Sequence, residues 1–426
     1  MKSAELLDFI KKGLLDTRLA DVYGEENTAY QRERYAEAVS EFISVYGERE
    51  VSLFSVPGRS EISGNHTDHN YGKVLAGSID LDIIAVASMT DDGIIKIKSK
   101  GFPEDVVDTR SYTSPDEKDY FKSCALIAGM SYAFTDGGYV SGGYIAYTTS
   151  NVFKGSGLSS SAAFEVMVGN ILNYFYNGGK VDNVEIAKMA QFSENVFFGK
   201  PCGLMDQMAC AVGGFVNIDF KDPKNPVINK IDFDLSGAGY SLCIVNTGGN
   251  HADLNEDYAS VPAEMKSVAA QLGCKVLRET DKETVLKNIM ALRESVGDRA
   301  ILRAIHFFNE NDRVDIQAEA LKVKDTKKFL EYVIRSGNSS YMFLQNVFTI
   351  KNVFEQGLSL ALCISDSVLS GTGAAWRVHG GGFAGTIQAF VPHAYVSAYR
   401  EAIDSAFGSG ACHVLRIRPY GAIKVQ

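Results

Sequence analysis

Residues 383–391, FAGTIQAFV, are followed by AYVSAYREAIDSAF at 394–407 and by HVLRIRP at 413–419. The outer two are short apolar runs, and the middle one carries apolar residues at helical spacing. Together they predict strand, helix, strand. That alternation marks an α+β or split βαβ unit. Working back along the chain, GYSLCIVNT at 239–247 predicts a buried strand, and residues 255–335 are charged and helix-rich. VSLFSV at 51–56 predicts a strand that meets the breaker Pro57-Gly58. IDLDIIAVAS (79–88), GIIKIKSK (93–100) and YIAYTTS (144–150) add three more strands. Helices are expected over 6–15 and 30–45, from the serines at 159–161 to about Tyr176, and over 184–197. The polar, proline-bearing KDPKNP at 221–226 sets a boundary between an N-terminal domain, 1–235, and a C-terminal one, 236–426.

With 426 residues, 46% of them hydrophobic, the chain can bury more than one core and is no disordered polymer. Fifty-two acidic against 42 basic residues give a formal charge of −10, which argues against a nucleic-acid ligand. A phosphate ligand stays admissible, since backbone N–H groups hold phosphate without a basic surface. Seven cysteines, with no CxxC pair, point to reduced thiols and a cytoplasmic protein. No apolar run reaches the roughly 18 residues of a membrane helix. Neither a membrane nor a protein partner is expected.

Three segments, 57–72, 154–165 with 194–207, and 377–386, concentrate glycine, hydroxyl and charged residues. In KGSGLSSSAAFEV (154–166), Gly155 and Gly157 allow close backbone approach, and a helix N-terminus follows. Its free N–H groups suit a phosphate, and Ser159, Ser160 and Ser161 offer hydroxyls to phosphate or magnesium. The lysine and spacing of a Walker A loop are missing, and an ordinary glycine-serine cap explains the segment about as well. In PGRSEISGNHTDHNYG (57–72), Arg59, His66, Asp68, His69 and Asn70 crowd a turn-rich loop suited to a polyhydroxylated ligand. A capped loop with packing histidines is the plainer reading there, and a lone HxxH is weak evidence for metal. Glu194, Gly203 and Asp206 in SENVFFGKPCGLMDQM, and the four glycines of RVHGGGFAGT (377–386), complete the set. A carboxylate beside a phosphate site can hold magnesium or take a proton, although a single acidic residue on a helix is more often just solvated.

Taken in order, these segments resemble the galactokinase branch of the GHMP small-molecule kinases. PGRSEISGNHTDHNYGKVL is similar to the signature PGRVNLIGEHTDYNxGxVL, and GSGLSSSAAFEV to GxGLSSSAAxEV. CGLMDQM is similar to CGIMDQF, RVHGGGFAGT to RMTGGGFGGC, and RAIHFFNENDRV (303–314) to RAxHVxxENxRV. The resemblance runs from about residue 45 onward. It implies an N-terminal ribosomal-protein-S5-like domain and a C-terminal ferredoxin-like domain, with the active site between them. It also implies ATP and Mg²⁺ as cofactors and phosphorylation of galactose at the anomeric C1 hydroxyl. Asp206 then matches the residue that takes the C1 proton, and Arg59 the arginine beside it. Ser161 and Glu194 match the magnesium ligands. Asn65, His66, Asp68, Gly203 and Tyr258 match residues lining the sugar, and Gly155, Ser156, Gly157, Leu158, Ser159, Ser160 and Ser161 the nucleotide loop.

The sequence departs from the family where it reads the sugar. The signature has glutamate before the histidine, a residue that contacts the C6 hydroxyl, and this chain has Asn65. Loss of that charge admits galacturonate or a modified galactose as alternative substrates. Tyr258 sits in EDYASVPAEM without the family's arginine pair, and His379 stands where threonine is common. A non-catalytic sugar sensor is the competing class. Such members lack small residues after the serine run, whereas Ser159 to Ala163 is uninterrupted here.

Overall fold

The computed structural model describes residues 1–111, 114–153, 157–249 and 254–426. Among these, twelve strands form two sheets. The first is built from β1 (Ser52–Ser63), β2 (Lys73–Met89), β3 (Ile94–Ser99), β4 (Glu104–Asp108), β5 (Tyr144–Ser150), β6 (Phe215–Asp219), β7 (Val227–Ile231) and β12 (Ile423–Lys424). Its order is β12-β1-β2-β5-β3-β4, with β6 and β7 added beside the first half of β2. Only the β3–β5 pairing is parallel. The second sheet holds β8 (Tyr240–Asn246), β9 (Ala375–Val378), β10 (Thr386–Pro392) and β11 (Cys412–Leu415) in the order β11-β8-β10-β9, all antiparallel. Helices connect β8 to β9 and β10 to β11, which is the ferredoxin-like β-α-β-β-α-β path. The fold class is α+β, as the C-terminal alternation predicts.

Long strands alternate their faces, and β2 shows it plainly. Ile83, Ala85 and Ala87 enter a core with α4 (Ser123–Asp136), α5 (Ser160–Tyr176), α6 (Asn183–Phe192) and α7 (Met205–Val212). Ile84 and Val86 point the other way, onto α1 (Ser3–Lys11), α2 (Asp16–Tyr23) and α3 (Thr28–Tyr46). Leu6, Ile10, Leu19 and Phe42 are fully buried there. Each such side chain contributes about 1.5–3 kcal/mol by leaving water. A further core joins the sheets, with Ile62 and Leu75 of the first against Leu242 and Phe390 of the second.

β1 departs from expectation. Pro57-Gly58 does not stop it; the strand continues to Ser63 with register shifts at Pro57/Arg59 and at Glu61/Ser63. A bulge absorbs the missing proline N–H and re-aims the side chains that follow. Gly58 is required at the first shift, because a Cβ there would lie 2.8 Å from the Leu158 carbonyl oxygen. The helix expected over 184–197 is likewise α-helical only to Phe192, then widens into a π-turn at Ser193–Phe197. That turn carries Glu194, and π-turns commonly mark functional sites. The last strand, β12, returns to the first sheet beside β1. No described helix is long and apolar enough to cross a membrane.

Candidate active site

Asp206 sits in the first turn of α7, where the helix dipole favours a negative charge. Arg59, presented by the first bulge of β1, grips it with two parallel bonds, Nε to Oδ1 and Nη2 to Oδ2, each 2.7 Å. The third arm of Arg59 donates to the Gly157 carbonyl, and the Ser159 hydroxyl donates to Asp206 Oδ2. Burial pushes the Asp206 carboxyl up, but the Arg59 charge and these hydrogen bonds outweigh it and hold the group below its ordinary value. Ser159 reaches Asp206 from a left-handed backbone, φ 59°, immediately before α5. A non-glycine residue there costs on the order of 1 kcal/mol, strain typical of a working site. Three of the loop positions, Gly157, Leu158 and Ser159, therefore meet Arg59 and Asp206 directly. Gly155 and Ser156 lie outside the described residues.

In the first turn of α5, the Ser161 hydroxyl is 3.5 Å from Glu194 Oε1. Glu194 also takes Lys200 Nζ at 2.8 Å and Gln207 Nε2 at 2.7 Å. Glu165, four residues after Ser161 and so on its face of the helix, shares Gln207 with Glu194. Burial and the Glu194 charge drive the Glu165 carboxyl well above its ordinary value, and its Oε1 has no partner among the described residues. Two buried carboxylates and a hydroxyl, with one oxygen unmatched, fit a divalent cation. The sequence reading missed Glu165, Lys200 and Gln207, although the spacing from Ser161 to Glu165 pointed to the first.

Asp206 opens onto a cavity of about 190 Å³. Its wall includes Glu61, His66, Asp68, Gly203 and Gly381. Gly203 approaches Asp68 so closely that a Cβ would lie 2.7 Å from Oδ2. Burial depresses His66 to about 4, so its ring is neutral at pH 7 and Nε2–H donates to the Gly381 carbonyl at 2.9 Å. His66, Asp68, Gly203 and Asp206 thus share one wall.

Asn65 and Tyr258 do not line that cavity. The Asn65 amide is fully buried, with Nδ2 donating to Glu61 Oε1 at 2.8 Å and to the Gly380 carbonyl at 2.6 Å. Its Oδ1 accepts from Asn346 Nδ2 at 2.7 Å. Tyr258 donates to the Gly382 carbonyl at 3.0 Å, behind the glycine turn, with its ring edge against Phe383. Both residues shape the loops around the site. Glu61, not singled out in the sequence, supplies the carboxylate on the wall instead.

The remaining motifs act as scaffold. On the long helix Asp298–Lys322, His306 bonds the Asn65 carbonyl. Glu310 accepts from the Ser63 hydroxyl and the Gly64 N–H, and Asn311 accepts from the Lys73 N–H. From the second sheet, Arg377 and Gln388 donate to the Ile62 carbonyl, and Gln388 also to that of Glu61. His379 packs against Gly157, where a Cβ would meet its ring at 3.5 Å. The glycine-rich third segment therefore abuts the nucleotide-loop candidate.

Residues 40–89 match the galactokinase galactose-binding signature, and residues 120–214 match the GHMP kinases N terminal domain. A galactokinase of Streptomyces coelicolor is 31% identical over 379 residues, 88% of this chain and 94% of that protein. One of Lactobacillus helveticus is 28% identical over 87% of this chain and 93% of its own length. Among solved structures, Lactococcus lactis galactokinase complexed with galactose superposes with a TM-score of 0.75 at 25% identity, covering 92% of this chain and 99% of its own. Methanococcus jannaschii mevalonate kinase shares the fold, with a TM-score of 0.61 at 15% identity over 86% of this chain and 98% of its own.

Proposed function

The chain belongs to the galactokinase family of GHMP kinases, and from that premise we propose that it transfers the γ-phosphoryl group of ATP to the C1 hydroxyl of galactose. The C1 oxygen forms the new bond to phosphorus, the bond from phosphorus to the ADP oxygen breaks, and the C1 proton passes to Asp206. The observation that carries this reading is the Arg59–Asp206 pair, opening on a sugar-sized cavity beside the serine run at the start of α5. Arg59 keeps the carboxylate ionised and presents positive charge where the transferring group gathers negative charge. Held low, Asp206 is a weak base. That suits a loose transition state in which the attacking hydroxyl gives up its proton late. Positioning and electrostatics then supply most of the rate.

Ser161 and Glu194 are the residues that would hold Mg²⁺, with Glu165 behind them. The ion would neutralise charge on the phosphates. Residues 155–161 would carry the nucleotide phosphates at the head of α5. His66, Asp68 and Gly203 would face the sugar hydroxyls, while Asn65 and Tyr258 would hold the surrounding loops. The carboxylates of Asp68 and Asp206 around one small cavity favour a neutral hexose over galacturonate. We also read residues 1–235 and 236–426 as the two domains, and the cytoplasm as the place of action. ADP release across a panel of hexoses tests the function: galactose and Mg²⁺ together should give turnover. Absence of ADP with every sugar would refute it and favour a sensor.

A further inference from the structure

We propose that Glu61 is the acidic group that reads the C6 hydroxyl of the sugar, this chain having exchanged the amide and the carboxylate of the galactokinase signature. The inference rests on the galactose-kinase reading and deepens it. In PGRVNLIGEHTD the signature has asparagine where this chain has Glu61 and glutamate where it has Asn65. The two residues are hydrogen-bonded to each other, Asn65 Nδ2 to Glu61 Oε1 at 2.8 Å. Carboxylate and amide are thus both retained, with their positions reversed across one contact.

Opposite Glu61, position 65 has no place for a second charge. Its amide donates to a carboxylate and a carbonyl and accepts from Asn346, and the side chain is fully buried. A carboxylate there would face two acceptors and hold no proton to offer either. Position 61 is different. Glu61 follows Arg59 by two residues on β1, so both side chains leave the same face, towards Asp206 and the cavity. Its Oε1 is engaged by Asn65 and lies 3.7 Å from Arg377 Nη2. Its Oε2 has no hydrogen-bond partner among the described residues, and the side chain lines the cavity. An anchored carboxylate with one oxygen left for a hydroxyl is what recognition of a sugar hydroxyl requires. Arg377 opposes the burial that pushes its carboxyl up, Asn65 sets its direction, and Gln388 fixes its backbone. Asn65 is accordingly a positioning residue.

The test compares galactose with 6-deoxygalactose in the wild type, in Glu61→Gln and in the exchanged pair Glu61→Asn/Asn65→Glu. Assayed at pH 8, where Glu61 is ionised, Glu61→Gln keeps the shape and the Asn65 contact but loses the charged acceptor. It should raise the KM for galactose about tenfold with kcat little changed, and shrink the kcat/KM preference over 6-deoxygalactose by a similar factor. Asn65→Glu alone sets two carboxylates against each other, so the exchanged pair should recover at least tenfold in galactose kcat/KM over it. An equal loss for both sugars, leaving the preference unmoved, would mean that Glu61 only supports the loop and would overturn the assignment. An exchanged pair no better than Asn65→Glu would overturn the exchange. Wild-type protein without galactose-dependent ADP release would instead refute the kinase reading itself.

Discussion

Asp82 on β2 and Asp206 on α7 are both gripped by arginine, with different outcomes. Asp82 is sealed: Arg34 of α3 and Arg418 near β12 converge on it, at 2.5 and 3.1 Å, and Tyr23 and Ser55 fill its remaining positions. Asp206 has one arginine, one serine and an open side, with a third of its side chain exposed. Burial raises both carboxyls and the arginines bring both below the ordinary value. What separates them is saturation. Both oxygens of Asp82 are engaged, Oδ1 by Arg34 and Oδ2 by Tyr23, Ser55 and Arg418, and they tie the N-terminal helices and the C-terminal segment onto the sheet, whereas Asp206 keeps capacity for a substrate. A strong carboxylate–arginine pair therefore signals function only where the surrounding groups leave it incomplete.

Substitutions should separate the two sharply. Asp206→Asn should lower kcat by about a thousandfold or more, ~4 kcal/mol of barrier, with thermal stability near that of the wild type. A variant that loses melting temperature and activity in proportion would collapse the distinction. Asp82→Ala strands two buried guanidinium groups and should cost about 3–5 kcal/mol of stability, read by urea unfolding, while kcat per folded molecule holds. Next come the arginines. Arg59→Lys loses the paired fork and should cost about ten- to a hundredfold in kcat/KM, whereas Arg418→Lys should lower the melting temperature alone.

The pH dependence sharpens the contrast more gently. Burial holds His66 and His306 at about 4 and His379 at about 3, so each is neutral when folded but takes a proton when unfolded below about 6.5. Stability should fall as pH drops from 6.5 towards 4, joined lower down by the depressed carboxyls of Asp82, Asp206 and Glu310. Glu61 runs the other way. Burial raises it to about 7, so its contribution is complete below 4.5 and lost as pH rises through 7. The melting-temperature difference between Glu61→Gln and the wild type should accordingly shift in the variant's favour between pH 5 and 8. A constant difference would place the Glu61 carboxyl in an ordinary environment.

The site was legible where local chemistry is written in consecutive residues. The serine run that opens α5, the carboxylate at the head of α7 and the loop at 64–72 each announce themselves by caps, glycines and turns. Directions of side chains were not legible. Asn65 reads as a pocket residue only through the family resemblance, yet partners at 346 and 380 turn it inward. Glu61 reads as one polar residue in a strand, and only the continuation of β1 past Pro57-Gly58 puts it on the face of Arg59. That continuation depends on pairing with β2, which no local rule contains. The N-terminal helices were visible as helices, but the reach of Arg34 to Asp82, 48 positions on, was not.

The closing of Arg418 and β12 onto the first sheet has a consequence in time. Arg418 bonds Ser55 across 363 positions of sequence, and at about 5–20 residues per second a ribosome needs tens of seconds to span that interval. Through that period β1 waits with an open hydrogen-bonding edge and Asp82 with one of its two arginines. The first sheet, with its helices and most of its strands already synthesised, is thus held short of completion until Arg418 and β12 emerge. Such a long-range closure slows folding and leaves an exposed strand edge available to other nascent chains.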